Sequence, residues 1–245
     1  MTTKELFESI GFDGYYRTDT ENFYYKYFKS ETAMHQFIIE VLKNDDDNNT
    51  HRRMINQVRR FVELANDIDK VRPGCDSLRI MFLRCGLESL NKLSNCNDKK
   101  VFYKTFSDCV SNDGKKYILD HFQFDGISIQ KGDSFSDFED VDLSYTLSID
   151  DFWDFTKCIR DSVVHDGNYW ETQLFSNTPD CHLLTHKIST QKILPNCYIP
   201  KKGETVYYGF STTMQYETFI GYFVEGCINY ILKYVRGKET ELHNE

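Results

Sequence analysis

The chain has 245 residues, 40% of them hydrophobic and 27% charged, which suits one sizeable folded core and excludes wholesale disorder. No run approaches the roughly 18 apolar residues of a membrane helix, and the N-terminal MTTKELFESIGF lacks a signal-peptide apolar region, so a cytoplasmic protein without a membrane partner is expected. With 29 Lys+Arg against 38 Asp+Glu the net charge is −9, which taken whole argues against a polyanionic partner.

Residues 1–45 form an aromatic-rich N-terminal segment, with Phe7, Phe12, Tyr15, Tyr16, Phe23, Tyr24, Tyr25, Tyr27 and Phe28 crowded into its first thirty positions. Such rings pack in a core more often than they stack on bases. A short helix is predicted over 31–43, where Phe37, Ile38, Val41 and Leu42 share a side. The tract NDDDNN at 44–49 has nothing to bury and reads as a linker to a second segment, a helical domain over 50–240.

A long helix is predicted from Thr50 to about Val71, since Met54, Val58, Phe61, Val62, Ala65 and Ile68 recur at three- and four-residue steps. Another covers about 75–93, and a third roughly 98–124 with a break at Asp113-Gly114. Residues 125–147 are acidic and turn-rich and read as a loop or insertion. A helix capped by Ser148 spans about 149–166. LLTHKI and TVYYGF, within 183–210, pair as a small hairpin, and a last helix covers about 212–235. Three of the four prolines (Pro179, Pro195 and Pro200) lie between 179 and 200, leaving most of the chain free of helix breakers. The fold expected is mainly α, a helical bundle with a β-hairpin insertion.

Eight cysteines contain no C-x-x-C pair and read as reduced thiols. The cluster Cys181, His182, His186 and Cys197 matches no standard zinc spacing, and the acidic run Asp137, Glu139, Asp140, Asp142 lacks the glycine and terminal glutamate of a calcium loop, so no metal is expected. No phosphate-binding glycine loop or dinucleotide fingerprint is present, and no cofactor is expected.

The informative segment is Arg160-Asp161-Ser162-Val163-Val164-His165, at the end of an amphipathic helix with Phe152, Phe155, Ile159 and Val163 on its apolar side and Gly167 as its stop. An imidazole exchanges protons with a ribose 2′-OH or a leaving 5′-oxygen near neutral pH. A guanidinium holds a phosphate and stabilises the charge that develops on it. The same residues also suit a helix C-terminus electrostatically, without any chemistry. On an ideal helix five residues rotate side chains by roughly 140°, so Arg160 and His165 converge only if the helix end is distorted or a second copy completes the site.

The hexapeptide resembles the R-[N/D/H]-x-x-x-H motif of the HEPN superfamily, the higher eukaryote and prokaryote nucleotide-binding domains; chance supplies about 0.05 such matches in this composition. The stretch Leu83-Arg84-Cys85-Gly86-Leu87-Glu88-Ser89-Leu90 is similar to the family's earlier core helix. The resemblance covers roughly 50–236 and implies an up-and-down HEPN-like bundle acting as a homodimer. It further implies a metal-independent endoribonuclease, with Arg160 on the scissile phosphate, His165 as general base or acid and Asp161 at the polar position where Asn is more frequent. The products would be 2′,3′-cyclic phosphate and 5′-hydroxyl ends. Family members serve as toxins or defence effectors, some held by an antitoxin or nucleotidyltransferase-like partner. The alternative is a non-catalytic HEPN-like module that binds a nucleotide or a protein.

Charge distribution returns RNA to consideration. Residues 120–154 hold ten acids and one base, a local −9 that equals the whole excess. Residues 51–100 hold eleven bases and six acids, and Arg52, Arg53, Arg59 and Arg60, with Arg84 beyond, are expected to form a basic strip for RNA. The acidic segment 126–147 is expected to screen that surface as a removable loop.

Overall fold

A computed structural model describes residues 14–43, 48–130, 138–141, 145–170, 172–176, 183–189 and 205–242, with Thr2, Glu5 and Glu8. The described chain is mainly helical, with a small antiparallel sheet. In order it forms α1 (Gly14–Tyr25), α2 (Glu31–Lys43), α3 (Thr50–Val71), α4 (Asp76–Leu93), α5 (Lys99–Cys109), α6 (Asn112–His121), β1 (Phe122–Gln130), β2 (Phe138–Val141), α7 (Ile149–Asp161), β3 (Leu183–Ser189), β4 (Thr205–Thr212) and α8 (Tyr216–Leu242). No helix among the described residues is long and apolar enough to cross a membrane. Six of the eight cysteines are described, all as free thiols, with Cys109 and Cys227 buried. Burial pushes the Cys227 thiol up, which keeps it protonated and inert.

The chain divides into two compact units, one of residues 1–63, 85–111 and 221–245, the other of 64–84 and 112–220. In the first, the described N-terminal aromatics range from buried to exposed, with Tyr25 56% exposed. Phe23 and Tyr24 are buried, their rings meet at 4.8 Å, and Tyr24 Oη donates to the Ile55 carbonyl at 2.8 Å. Burying the hydroxyl costs little because it is bonded, while each buried ring contributes about 1.5–3 kcal/mol. Elsewhere in this unit Phe102 meets Tyr230 at 5.0 Å and Phe106 meets Phe223 at 6.0 Å.

The second unit is built on a sheet of order β2-β1-β4-β3. The expected hairpin exists, with Leu183 opposite Thr212 and Ser189 opposite Val206. It is half of a larger sheet, however, because β1 pairs with β4 along nearly its whole length and with β2 from Ile127↔Val141 to Gln130↔Phe138. Two expectations are thereby corrected. Residues 122–130 and 138–141 are strands rather than helix end and loop, and the helix break falls at Val110-Ser111, with Gly114 inside α6. Two of the acids misled because they sit on the solvent side of the sheet. Ile127 and Ile129 are buried while Asp125 and Asp140 are exposed, an alternation that composition averages away. Deleting 126–147 would remove two strand segments, so that span is no detachable screen. A bulge between Phe124 and Gly126 kinks β1, and Gly126 adopts φ +142°, which an L side chain would resist.

Glycines on α8 give a packing test within the first unit. A Cβ at Gly226 would lie 2.9 Å from Val110 Cγ2 and 3.3 Å from Phe106 Cζ, whereas one at Gly221 would meet nothing within 4 Å. Gly226→Ala should destabilise by about 1–3 kcal/mol through overpacking. Gly221→Ala should be neutral or stabilising by up to about 1 kcal/mol, the helix-propensity gain. Denaturant midpoints of the two variants check the pair, and equal midpoints would contradict this packing.

Candidate active site

Helix α7 is positioned by aromatic packing on the inner side of the sheet. Phe122 stacks on Phe210 at 5.0 Å and 13°, Phe155 meets Phe210 at 4.5 Å, and Phe152 meets Phe122 at 5.3 Å. Phe152, Phe155 and Ile159 are all buried, as their spacing predicts. The helix begins with a reciprocal capping box. Ser148 Oγ accepts from Asp151 N–H at 3.2 Å, and Asp151 Oδ2 accepts from Ser148 N–H at 2.8 Å.

Its other end departs from α geometry. Regular hydrogen bonding stops at Asp161, and Ser162–Asp166 forms a π-helical turn closed by Gly167, which adopts φ +70° and donates its N–H to Ser162 O. The distortion that the motif requires is thus present in the backbone of this chain. In an i→i+5 turn each residue rotates less than in an α-helix, so the 140° divergence of Arg160 and His165 narrows. Single π turns of this kind occur disproportionately at functional sites.

The motif's side chains differ in exposure. Arg160 is largely covered, with 15% of its side chain exposed, and its Nη1 lies 2.7 Å from Asp161 Oδ1. His165 is exposed at the surface of the π turn. Asp166 Oδ2 accepts from Ser162 Oγ at 3.5 Å. The position after Arg160 therefore holds the guanidinium, and a phosphate approaching Arg160 has to share it with the Asp161 carboxylate. The pair is reached by solvent mainly from the carboxylate, since the Asp161 side chain is 39% exposed.

The proposed basic strip is largely reassigned. Arg84 is 2% exposed and lies in the field of Asp154, so it belongs to the interior. Burial raises the Asp154 carboxyl above the ordinary range, against the pull of Lys157 and Arg84. Arg59 is held at 3.4 Å by both Asp19 and Glu63, with its guanidinium over the Tyr16 ring, so it ties α3 to α1 instead of facing ligand. Arg53 and Arg60 are exposed and seven residues apart, which keeps them on one face, and Arg52 is half-buried. Arg52, Arg53, Arg59 and Arg60 lie in the first unit, whereas Arg84, Arg160, Asp161 and His165 lie in the second. Of the zinc-like cluster, Cys181, His182 and Cys197 and the His186 side chain lie outside the described residues.

Sequence reasoning missed the clamp behind this site. Asp76, at the start of α4, is buried, and its Oδ2 accepts from both Leu174 and Phe175 N–H at 2.8 Å. Ser77 Oγ donates to Thr172 O at 3.3 Å, and Ser176 N–H donates to Met214 O at 2.7 Å. Residues 172–176 are thereby pinned just beyond the turn that carries the motif. The only signal in sequence was an acid at a helix N-terminus, which has many commoner uses.

Burial raises the Asp76 carboxyl above its ordinary value, opposed by the two backbone N–H bonds and by Arg79. The folded state then keeps this proton where the unfolded chain has released it, so the group's contribution to stability falls as pH rises through the raised value. Asp76→Ala should cost about 2–4 kcal/mol by stranding two buried N–H groups. The wild-type advantage over it should shrink as pH rises above the ordinary carboxylate value of about 4. Chemical denaturation across that range checks the sign, and an advantage that grows with pH would show that the N–H bonds and Arg79 outweigh burial. In comparisons with known proteins, no family model, no curated protein and no solved structure matches the chain.

Proposed function

We propose that the chain is a metal-independent endoribonuclease of the HEPN type, with Arg160 and His165 as its catalytic pair. The observation that carries this reading is the π turn at Ser162–Asp166, which reshapes the helix end between the two residues of the motif. The exposed imidazole favours the same reading, since a His kept only for packing would be covered.

The chemistry follows from these groups. The ribose 2′-oxygen attacks the adjacent phosphorus as its proton passes to an imidazole nitrogen. Arg160 stabilises the charge that accumulates on the phosphorane oxygens, with the planar donor fork that suits phosphate. The bond from phosphorus to the 5′-oxygen breaks, that oxygen takes up a proton, and 2′,3′-cyclic phosphate and 5′-hydroxyl ends result. One imidazole serves one of the two proton transfers. In a homodimer, His165 of a second copy supplies the other, which gives symmetric assembly a chemical purpose. A role as toxin or defence effector in the cytoplasm, held by an antitoxin or nucleotidyltransferase-like partner, belongs to the same proposal.

The second reading, a non-catalytic module for a nucleotide or a protein, is favoured by the Asp161 carboxylate at 2.7 Å from Arg160, where a substrate phosphate would bind. The two readings diverge on mixed RNA in EDTA with end-group analysis. Arg160→Ala and His165→Ala should each lose at least about a hundredfold in cleavage, the usual scale for a general acid–base group or a charge-stabilising donor. Asp161→Asn, which frees the guanidinium, should hold or raise the rate, and a 2′-deoxy strand should stay intact. Cleavage that survives His165→Ala, or that EDTA abolishes, would refute the mechanism.

A further inference from the structure

Beyond the π turn the chain carries an aromatic pair that phosphodiester chemistry does not use. Asn168 N–H donates to Ser162 O at 3.3 Å and Tyr169 N–H to Gly167 O at 3.2 Å, which folds the segment back onto the helix end. Residues 172–176 are anchored in turn by Asp76 and Ser77. The segment 168–170 is thus held against the helix end. It presents Trp170, 65% exposed, with the Tyr169 ring at 4.3 Å and 67°, and Val164 on the π turn is 53% exposed. Indoles are seldom left this open, and an exposed ring of this size is available for contact with a partner.

We propose that Trp170, braced edge-on by Tyr169, forms a stacking platform for one unpaired base of single-stranded RNA whose phosphate Arg160 holds. The choice of RNA rests on the ribonuclease reading above. The chemistry of the patch selects this occupant. A nucleotide offers a flat apolar base joined to an anionic phosphate. The helix end carries an exposed indole a few residues along the chain from the Arg160 guanidinium, the exposed imidazole of His165 and the exposed Lys157, with Asp161 and the exposed Asp166 among them. A base inside a duplex is already stacked on both sides and cannot reach the indole, so the platform selects single strands. Every base has a π face, so it discriminates little among sequences.

The chain's two tryptophans make a direct test, since Trp153 is 3% exposed and only Trp170 faces solvent. Full-length His165→Ala protein in EDTA is titrated with a single-stranded oligoribonucleotide, its 2′-deoxy counterpart and an RNA duplex, while tryptophan emission is followed. Both single strands should quench the solvent-exposed emission and the duplex should not. Adding Trp170→Ala should weaken single-strand affinity roughly 5- to 100-fold, and Trp170→Phe should restore most of it. Absent quenching, or an affinity unchanged by Trp170→Ala, overturns the platform. Dissociation of a Trp170→Ala dimer with undiminished strand binding also overturns it, and assigns the patch to a second copy. Wild-type cleavage run in parallel separates the two proposals. Cleavage without quenching leaves the ribonuclease and removes the platform, whereas quenching without cleavage keeps a single-strand platform and removes the ribonuclease.

Discussion

The candidate site depends on a cluster of phenylalanines drawn from three elements of the second unit. Phe122 and Phe210 come from the central strands, Phe152 and Phe155 from α7, and all four are fully buried. Offset and edge-on ring contacts add to their area burial, about 0.5–1.5 kcal/mol per pair. Because the rings interlock, α7 has one rotational setting on the sheet, and that setting decides which residues at its C-terminal end reach solvent. Phe219 joins from α8, meeting Phe152 at 5.8 Å and Phe175 at 5.3 Å, so the segment pinned by Asp76 packs into the same cluster. The motif and the loop that follows it share one foundation.

At the end of α7 regular backbone hydrogen bonding gives way to the geometry of the motif. A π turn forfeits the packing and bond geometry of an α turn, and it persists here because Gly167 terminates it in a left-handed conformation at no steric cost. Asp161 has two effects of opposite sign. Its carboxylate aligns the Arg160 guanidinium and would compete with any anion brought to it. The balance between ordering and competition turns on a pair whose guanidinium is largely covered and whose carboxylate solvent reaches.

Much of the helical layout was legible from periodicity. The helices at 31–43 and 50–71 have the predicted bounds, and Ser148 caps α7 as its position before the apolar stripe indicated. Strands β1 and β2 were not legible. Asp125 and Asp140 face water while Ile127 and Ile129 are buried, so a reading based on composition saw an acidic loop. The pairing of residues 183–189 with 205–212 was seen, but its continuation into β1 depends on a contact across some eighty residues, for which local pattern holds no information. Arg84 and Arg59 were misplaced in the basic strip for a related reason. Spacing puts residues on one face of a helix, but whether that face meets water or another element is decided elsewhere in the chain.

By itself the sequence determined the local facts: the amphipathic stripe of α7, its cap, its glycine stop and the Arg-Asp-x-x-x-His order, all set by interactions within a few residues. It also located the whole negative excess within residues 120–154, which kept RNA open as a partner. Only the tertiary structure decided that part of this acidic stretch is sheet, that Arg84 is interior, that Arg59 is held by Asp19 and Glu63, and that a buried Asp76 clamps the segment beyond the motif. It also showed that the helix end widens into a π turn and that Trp170 stands open beside it. The physical reason is that burial and long-range hydrogen bonding are properties of pairs of residues far apart in the chain, and periodicity reports one partner of each pair.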